Sequence, residues 1–565
     1  GHQPMHNDDL SVWVSTNSEI YNYKELKKEL AHKYSFRSNS DTEVLLRSYE
    51  EWGLDLLNKI SGMFAFAIWD GPKNKLILAR DRIGIKPLYY HYKENILVFG
   101  SELRSILASK LVKPALNPSG IFQYLSYGRV GPVGSILDSI TELQPGHFLI
   151  ADKNGIQIQK YWDPFHEIKT IQSTEQFVNK LENCLEEVVL KHLVSDVPIG
   201  TFLSGGIDSS AIVSIISDKT TKPIETLSII FENKDFDESK YSSSFAENLG
   251  TKHHELLFSE TDLVNNLSPA LKSMDQPTID GINTYMISLA AKNIGFKVAL
   301  SGLGGDELFA GYDSFRLVPK LLKLKQALKV IPLALRKQIS YITSKILTGS
   351  DKNTKLYHLL RDQYNGAHIY FLIRSLFCEE ELKLLFSNHV ILESEIKKNL
   401  DFTQELVDSH SELSPVNLVS YLEMTQYMAT TLLRDADTMS MAHGLEIRVP
   451  LLDHKLIELM LSIPSNYKIN KDLPKHLLVN SLNKKLPWNI VRRKKMGFTF
   501  PFEIWMRGKL RTEIESVLLT RSEKLSDFIS QDSIQKVWNN FLEKRCSWSR
   551  PWSLYVLKKW IDKNI

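Results

Sequence analysis

The chain has 565 residues, a length that calls for two or more domains, each with its own core. A formal net charge of +3 and a charged fraction of 24% are those of an ordinary globular protein and exclude the basic excess of a nucleic-acid binder. Apolar runs stop short of a membrane span, no signal peptide is visible, and Cys184, Cys378 and Cys546 are too scattered for a disulfide frame or a zinc site, so a cytoplasmic protein is expected. The chain opens on Gly1 inside sequence that already reads as structured, from which a lost start is expected.

From Ser11 to about Tyr161 the pattern is strands and turns. Phe64–Trp69 and Lys75–Ala79 flank Asp70-Gly71-Pro72, and Leu88–Tyr90 and Ile96–Phe99 flank Lys93-Glu94-Asn95, two antiparallel hairpins. Asp41 opens an amphipathic helix carrying Val44, Leu45, Tyr49 and Trp52 that closes on Gly53. A third hairpin, Phe148–Ile150 with Ile156–Ile158 across Asn154-Gly155, leads to a boundary at Trp162. After Ser173 strands and helices alternate: Val197–Leu203, a helix Ser209–Ser217, Ile224–Phe231, a helix Tyr241–Leu249, His254–Phe258, a helix Asn283–Asn293 and Phe296–Leu300. That alternation predicts a parallel sheet with helices on both faces and ligands beyond the carboxyl ends of its strands. From about Phe315 the chain reads as helical. The expected division is 1–162, antiparallel sheets covered by helices, and 173–565, a parallel α/β domain with a helical C-terminal part.

Two glycine-rich segments end strands of that sheet, LSGGIDSS at Leu203–Ser210 and SGLGGDE at Ser301–Glu307. Glycines after a strand let several backbone N–H groups face one anion, and the following helix adds the positive end of its dipole. Neither Walker nor dinucleotide spacing is present. Taken alone, SGG fits a glycine turn capped by Asp208 or Ser209 as well as it fits a phosphate loop. The second loop decides, because Asp208 and Asp306 together could hold a nucleotide and Mg2+.

SGGIDSS resembles the pyrophosphate loop of ATP pyrophosphatases, and SGLGGDELFAGY the second signature of the asparagine synthetases. MAHGLEIRVPLLDHKLIE, Met441–Glu458, and RRKKMGFTFP, Arg492–Pro501, resemble later signatures of that family, while NSEIYNY, SDTEVLL and ARDRIGIKPLYY resemble its glutaminase domain. The resemblance implies an N-terminal-nucleophile glutaminase sandwich followed by an ATP pyrophosphatase domain, and an ATP-dependent ligase that adenylates a carboxylate, aspartate first, and aminates it with ammonia from glutamine. It also implies site residues. Phe202, Ser204, Gly205, Gly206, Ile207, Asp208, Ser209, Ser210, Ile230, Ser301 and Gly302 would bind ATP and pyrophosphate; Asp208 and Asp306 would hold Mg2+, and Lys495, with Lys494 as the neighbouring candidate, would meet the α-phosphoryl group. Without the neighbouring motifs, Arg492 to Lys495 would read as a solvated charge run. Asn17 and the backbone of Ser18 would form an oxyanion hole, with Glu19 and Asp41 gripping the glutamine; Asp41 also reads as a helix N-cap.

Three departures qualify the resemblance. The family's N-terminal cysteine is absent ahead of GHQPM, so this chain is expected to lack the glutaminase step. The family's NGE reads Asn17-Ser18-Glu19, and a positive φ at Ser18 would add strain of about 1 kcal/mol. Leu303 stands where asparagine synthetases carry glutamate and β-lactam-forming relatives tyrosine, which puts the acceptor in question. Amidation of another carboxylate, such as a cell-surface sugar acid or a peptide, and a catalytically inactive nucleotide-binding protein are the alternatives. The sequence leaves oligomeric state open, a homodimer included.

Overall fold

The strand Gly62–Asp70 shows how the N-terminal region is layered. Its period of two turns Phe64, Phe66 and Ile68 to one face and Ala65 and Ala67 to the other. The large side chains pack under the helices Tyr23–Leu30 and Asp41–Trp52, and the alanines leave room for a second sheet through Leu88, Tyr90 and Leu143. In chain order the strands are Met5–His6 (β1), Val12–Ile20 (β2), Gly62–Asp70 (β3), Lys75–Arg80 (β4), Tyr89–Lys93 (β5), Ile96–Gly100 (β6), Thr141–Glu142 (β7), His147–Asp152 (β8) and Gly155–Lys160 (β9). They form two antiparallel sheets, β1-β2-β3-β4-β8-β9 and β6-β5-β7, and include the three expected hairpins.

This computed structural model describes residues 2–132, 134–165, 174–221, 223–328, 366–482, 485–497 and 499–565, with Pro332, Leu335, Gln338, Lys355, His358 and Leu359. Ser173, the expected start of the second domain, and Phe498, within RRKKMGFTFP, lie outside the described residues.

The second region holds a five-stranded parallel sheet, β12-β11-β10-β13-β14, from Ile199–Phe202 (β10), Glu225–Phe231 (β11), Lys252–Phe258 (β12), Val298–Leu300 (β13) and Glu446–Arg448 (β14). The chain winds outward from β10 to β12 and then returns to place β13 on the other side of β10. The crevice between β10 and β13 is the topological switch point, where a parallel sheet accepts ligands. Both glycine loops emerge there. β14 comes from the LEIRVP segment, about 150 residues later in the chain than β13, and was not legible as a strand of this sheet.

The two regions share a core. Tyr89, Ile121, Tyr124 and Ile136 pack in one buried cluster with Met286, Met439 and Trp552, and the Tyr124 hydroxyl donates to Ser553 O at 2.9 Å. The ARDRIGIKP loop adds a polar tie: Asp81 accepts from the N–H groups of Ile83, Gly84, Ile85 and Lys86 at 2.7–3.1 Å, and the buried Lys86 ammonium reaches Asp437 at 2.8 Å. No helix among the described residues is long and apolar enough to cross a membrane.

Candidate active site

At the end of β10 the backbone turns through Ser204 and Gly205, whose φ of +67° suits glycine. A Cβ on Gly205 would stand 2.9 Å from Tyr241 Cβ. Gly206 is the N-cap of the helix Ile207–Lys219 and supplies no side chain to it, so the orphan N–H groups of the first turn face outward. The capped-turn account of this loop therefore fails for Asp208, which is the second helical residue and points elsewhere. Ser209 stays local: its hydroxyl bonds Ser204 and Gly206 O at 3.2–3.3 Å, and Ser210 is fully buried.

The second loop closes against the first at near backbone contact. A Cβ on Gly302 would lie 2.9 Å from Ser209 N, and one on Gly305 2.2 Å from Asp208 Oδ1. Ser301 N donates to Arg448 O at 2.9 Å, which fixes the loop to β14. Phe202 and Ile230 lie at the carboxyl ends of β10 and β11.

Between Asp208 and Asp306 sits a residue that the sequence reading passed over, Lys475. Its buried ammonium pairs with Asp208 Oδ2 and lies 2.5 Å from Asp306 Oδ1, while Lys495 Nζ is 2.7 Å from the same oxygen of Asp306. Lys475 has a positive φ of 46°, a conformation uncommon outside glycine, and precedes the helix His476–Ser481. Its only sequence signal was a lone lysine before a short apolar run. Burial raises the Asp208 carboxyl, whereas the ammonium groups of Lys475 and Lys495 hold Asp306 below its ordinary value against burial. Asp208 Oδ1 is buried and accepts no hydrogen bond among the described residues, a lone pair free for a cation.

The basic run is not a solvated stripe. Arg493 pairs with Glu238 and lies over the Tyr241 ring at 5.2 Å, while Arg492, Lys494 and Lys495 are exposed; of these Arg492 lies over Trp488 at 4.8 Å and Lys495 faces Asp306. Leu303 packs against the apolar core of the parallel sheet.

Of the residues expected to hold glutamine, Asn17, Ser18 and Glu19 lie towards the end of β2 and Asp41 opens the helix Asp41–Trp52. Ser18 pairs with Phe64 in the β2–β3 ladder and is not among the residues of positive φ, so the expected strain at this position is absent. Asp41 Oδ2 accepts from Ile20 N at 3.1 Å and from the Ser18 hydroxyl at 3.4 Å. The N-cap of the helix Asp41–Trp52 is Ser40, whose hydroxyl accepts from Thr42 N, so Asp41 is its first residue and not its cap. Asn17 lies opposite Ala65 in the ladder. Glu19 reaches across to the second region, where its Oε2 is 3.0 Å from Arg448 Nη2. Burial, then the nearby Glu446, pushes the Glu19 carboxyl up to about 7.

A glycine-loop crevice with two carboxylates and two ammonium groups, joined to an antiparallel sandwich, defines a nucleotide-binding α/β protein fused to an amidotransferase-like domain. Residues 180–562 match the family described as "Asparagine synthase", and residues 1–162 match that described as "Glutamine amidotransferase domain". "Asparagine synthetase [glutamine-hydrolyzing] 1" of Bacillus subtilis is 31% identical over 100% of this chain and 88% of its own length. "Asparagine synthetase [glutamine-hydrolyzing] 3" of the same organism is 31% identical over 92% of this chain and 82% of its own length. The "Putative asparagine synthetase [glutamine-hydrolyzing]" of Mycobacterium bovis is 28% identical over 96% and 83%. The chain belongs to the asparagine synthase family, and it is an enzyme of that type.

The amidotransferase match runs from residue 1 to residue 162. It gives no support to the expectation that the glutaminase step is missing, or to the reading of the chain as truncated, and both are withdrawn. The residue on which the chain opens decides nothing about that step.

Proposed function

We propose that the protein converts aspartate to asparagine with ATP and with nitrogen taken from glutamine, releasing AMP and pyrophosphate. A carboxylate cannot expel hydroxide to ammonia at neutral pH, so it first displaces pyrophosphate from ATP to form an acyl adenylate, which ammonia then opens. The observation that carries this reading is the convergence of Asp208, Asp306, Lys475 and Lys495 under the first helical turn after SGG. The N–H groups of Ser204, Gly205, Gly206 and Ile207 would receive the departing pyrophosphate. Lys475 and Lys495 would meet negative charge developing at the α-phosphoryl group. Asp208 and Asp306 would hold Mg2+, since two carboxylates with substrate phosphates are its usual donor set, and the free Asp208 Oδ1 fits that role. Bound there, the ion would neutralise charge on the leaving group.

At the other site Asp41 and Glu19 would hold the glutamine, with Asn17 and Ser18 N–H at the oxyanion. We place the enzyme in the cytoplasm and divide it near residues 162–173. The test is AMP and pyrophosphate release with ATP, Mg2+, ammonia and L-aspartate. Release that depends on aspartate and yields asparagine is expected; release with another carboxylic acid and none with aspartate would overturn the acceptor.

A further inference from the structure

Lys495 also leads away from the candidate adenylation site to a group of charges, Arg374, Asp280 and Arg129, that none of the roles above uses. Lys495 Nζ lies 4.3 Å from the Tyr312 ring centre. The Arg374 guanidinium sits between Tyr312 and Tyr427, 4.7 and 4.3 Å from their ring centres. The Tyr427 hydroxyl donates to Asp280 Oδ2 at 3.2 Å, at the start of the helix Gly281–Asn293. Tyr427 belongs to the π-helical stretch Glu423–Leu432, a wide turn rare in proteins and frequent at functional sites.

The remaining member comes from the N-terminal region. Arg129, 4% exposed, follows the helix Pro118–Tyr127 and lies 5.7 Å from the Tyr427 ring centre. Its Nε donates to Gln426 O at 2.7 Å and Thr430 Oγ1 at 2.8 Å, while its two Nη groups make no hydrogen bond to the described residues. Those Nη atoms are not among the polar atoms sealed without a partner, so they face space that an anion can enter. Glu423 already neutralises Arg374 through Nε and Nη2. Asp280 and Arg129 thus meet at one tyrosine, the anion at its hydroxyl and the cation over its ring, with the positive charges of Arg129 and Arg374 acting on Asp280.

We propose that Asp280 and Arg129 hold the α-ammonium and α-carboxylate of the acceptor amino acid, so that the N-terminal region contributes a specificity residue to the ligase site. This rests on the ligase reading above. An α-amino acid satisfies both groups at once, and a sugar acid lacks the ammonium. The pair supplies the acceptor recognition that Leu303 cannot.

The full chain is assayed for pyrophosphate release with ATP, Mg2+ and ammonia, using L-aspartate, succinate, which lacks the ammonium, and β-alanine, which lacks the α-carboxylate. In the wild type, the KM for aspartate should lie at least about tenfold below the other two. Asp280→Asn should raise KM about tenfold for aspartate and β-alanine and leave succinate within about twofold. Arg129→Gln should raise it for aspartate and succinate and spare β-alanine. Variants that weaken all three acceptors alike, or leave the aspartate KM unchanged, overturn the proposal. If Arg129→Gln fails to fold, the Asp280→Asn series decides alone. A wild type with no pyrophosphate release from any of the three acids refutes the ligase reading itself, and release from the others but not from aspartate overturns the acceptor, before any variant is compared.

Discussion

The nucleotide crevice and the end of β2 carry motifs of similar length, yet they are built differently. In the crevice every charged motif residue except Lys494 is closed upon a partner, and glycines are placed where a single Cβ would collide. At β2 the four residues lie along one strand end and one helix start, and Glu19 already engages Arg448 of the other region. The first site is assembled by packing of loops within one sheet. The second is shared between regions, so its charge state depends on its neighbour.

Variants can break or sharpen this contrast. The largest effect is expected from Asp208→Asn, which should lower kcat of the ammonia-dependent reaction about a thousandfold, because the charge proposed to hold Mg2+ at the leaving pyrophosphate is lost. A glycine-turn cap would tolerate asparagine, so near-normal turnover would contradict the assignment.

The two lysines should separate next. Lys475→Ala removes a buried ammonium shared by two carboxylates, and Lys495→Ala a half-exposed one, so losses of about a thousandfold and about tenfold in kcat are expected. The reverse order, measured at saturating ATP, would return the main role to Lys495.

For the shared site, Glu19→Gln should lower glutamine-dependent kcat/KM about tenfold and leave the ammonia-dependent reaction within about twofold. The wild type should show the same split with pH. Glu19 titrates near 7, so its carboxylate is lost as pH falls through that value, and glutamine use should fall while turnover at fixed free ammonia does not. Parallel profiles for the two nitrogen sources would disprove it.

Smaller effects probe the frame. Ser18→Gly should leave glutaminase rate within about twofold, there being no positive φ to relieve, and should lower Tm slightly, since glycine inside a strand costs about 0.5–1 kcal/mol. A last one, outside both sites, concerns Lys468, buried with Asn417 as its 2.8 Å partner and pushed down to about 7 by burial. Above about pH 7 the folded state has released a proton that the unfolded state keeps until its ordinary value near 10.4, so stability should rise with pH across that window. Lys468→Met should remove that rise in Tm; an unchanged slope would assign it to other groups.

Local rules settled much of this protein. Hairpins around Asp70-Gly71-Pro72 and Asn154-Gly155, the helix closing on Gly53 and the alternation after Val197 all rest on side-chain period and turn chemistry within a few residues, and the sequence by itself determined them. It also determined that SGG and SGLGG end strands and that Asp208 and Asp306 belong together. Only the tertiary structure decided which distant residues complete the site. Lys475 lies 267 residues from Asp208, Arg448 lies 429 from Glu19, and β14, Glu446–Arg448, joins β13, Val298–Leu300, across the whole stretch of chain between them. No periodicity reports such meetings. They follow from the winding that brings β10 and β13 side by side and from the shared core that seats Arg129 over Tyr427. A buried lysine or arginine reads in sequence like any surface charge until packing removes the water around it.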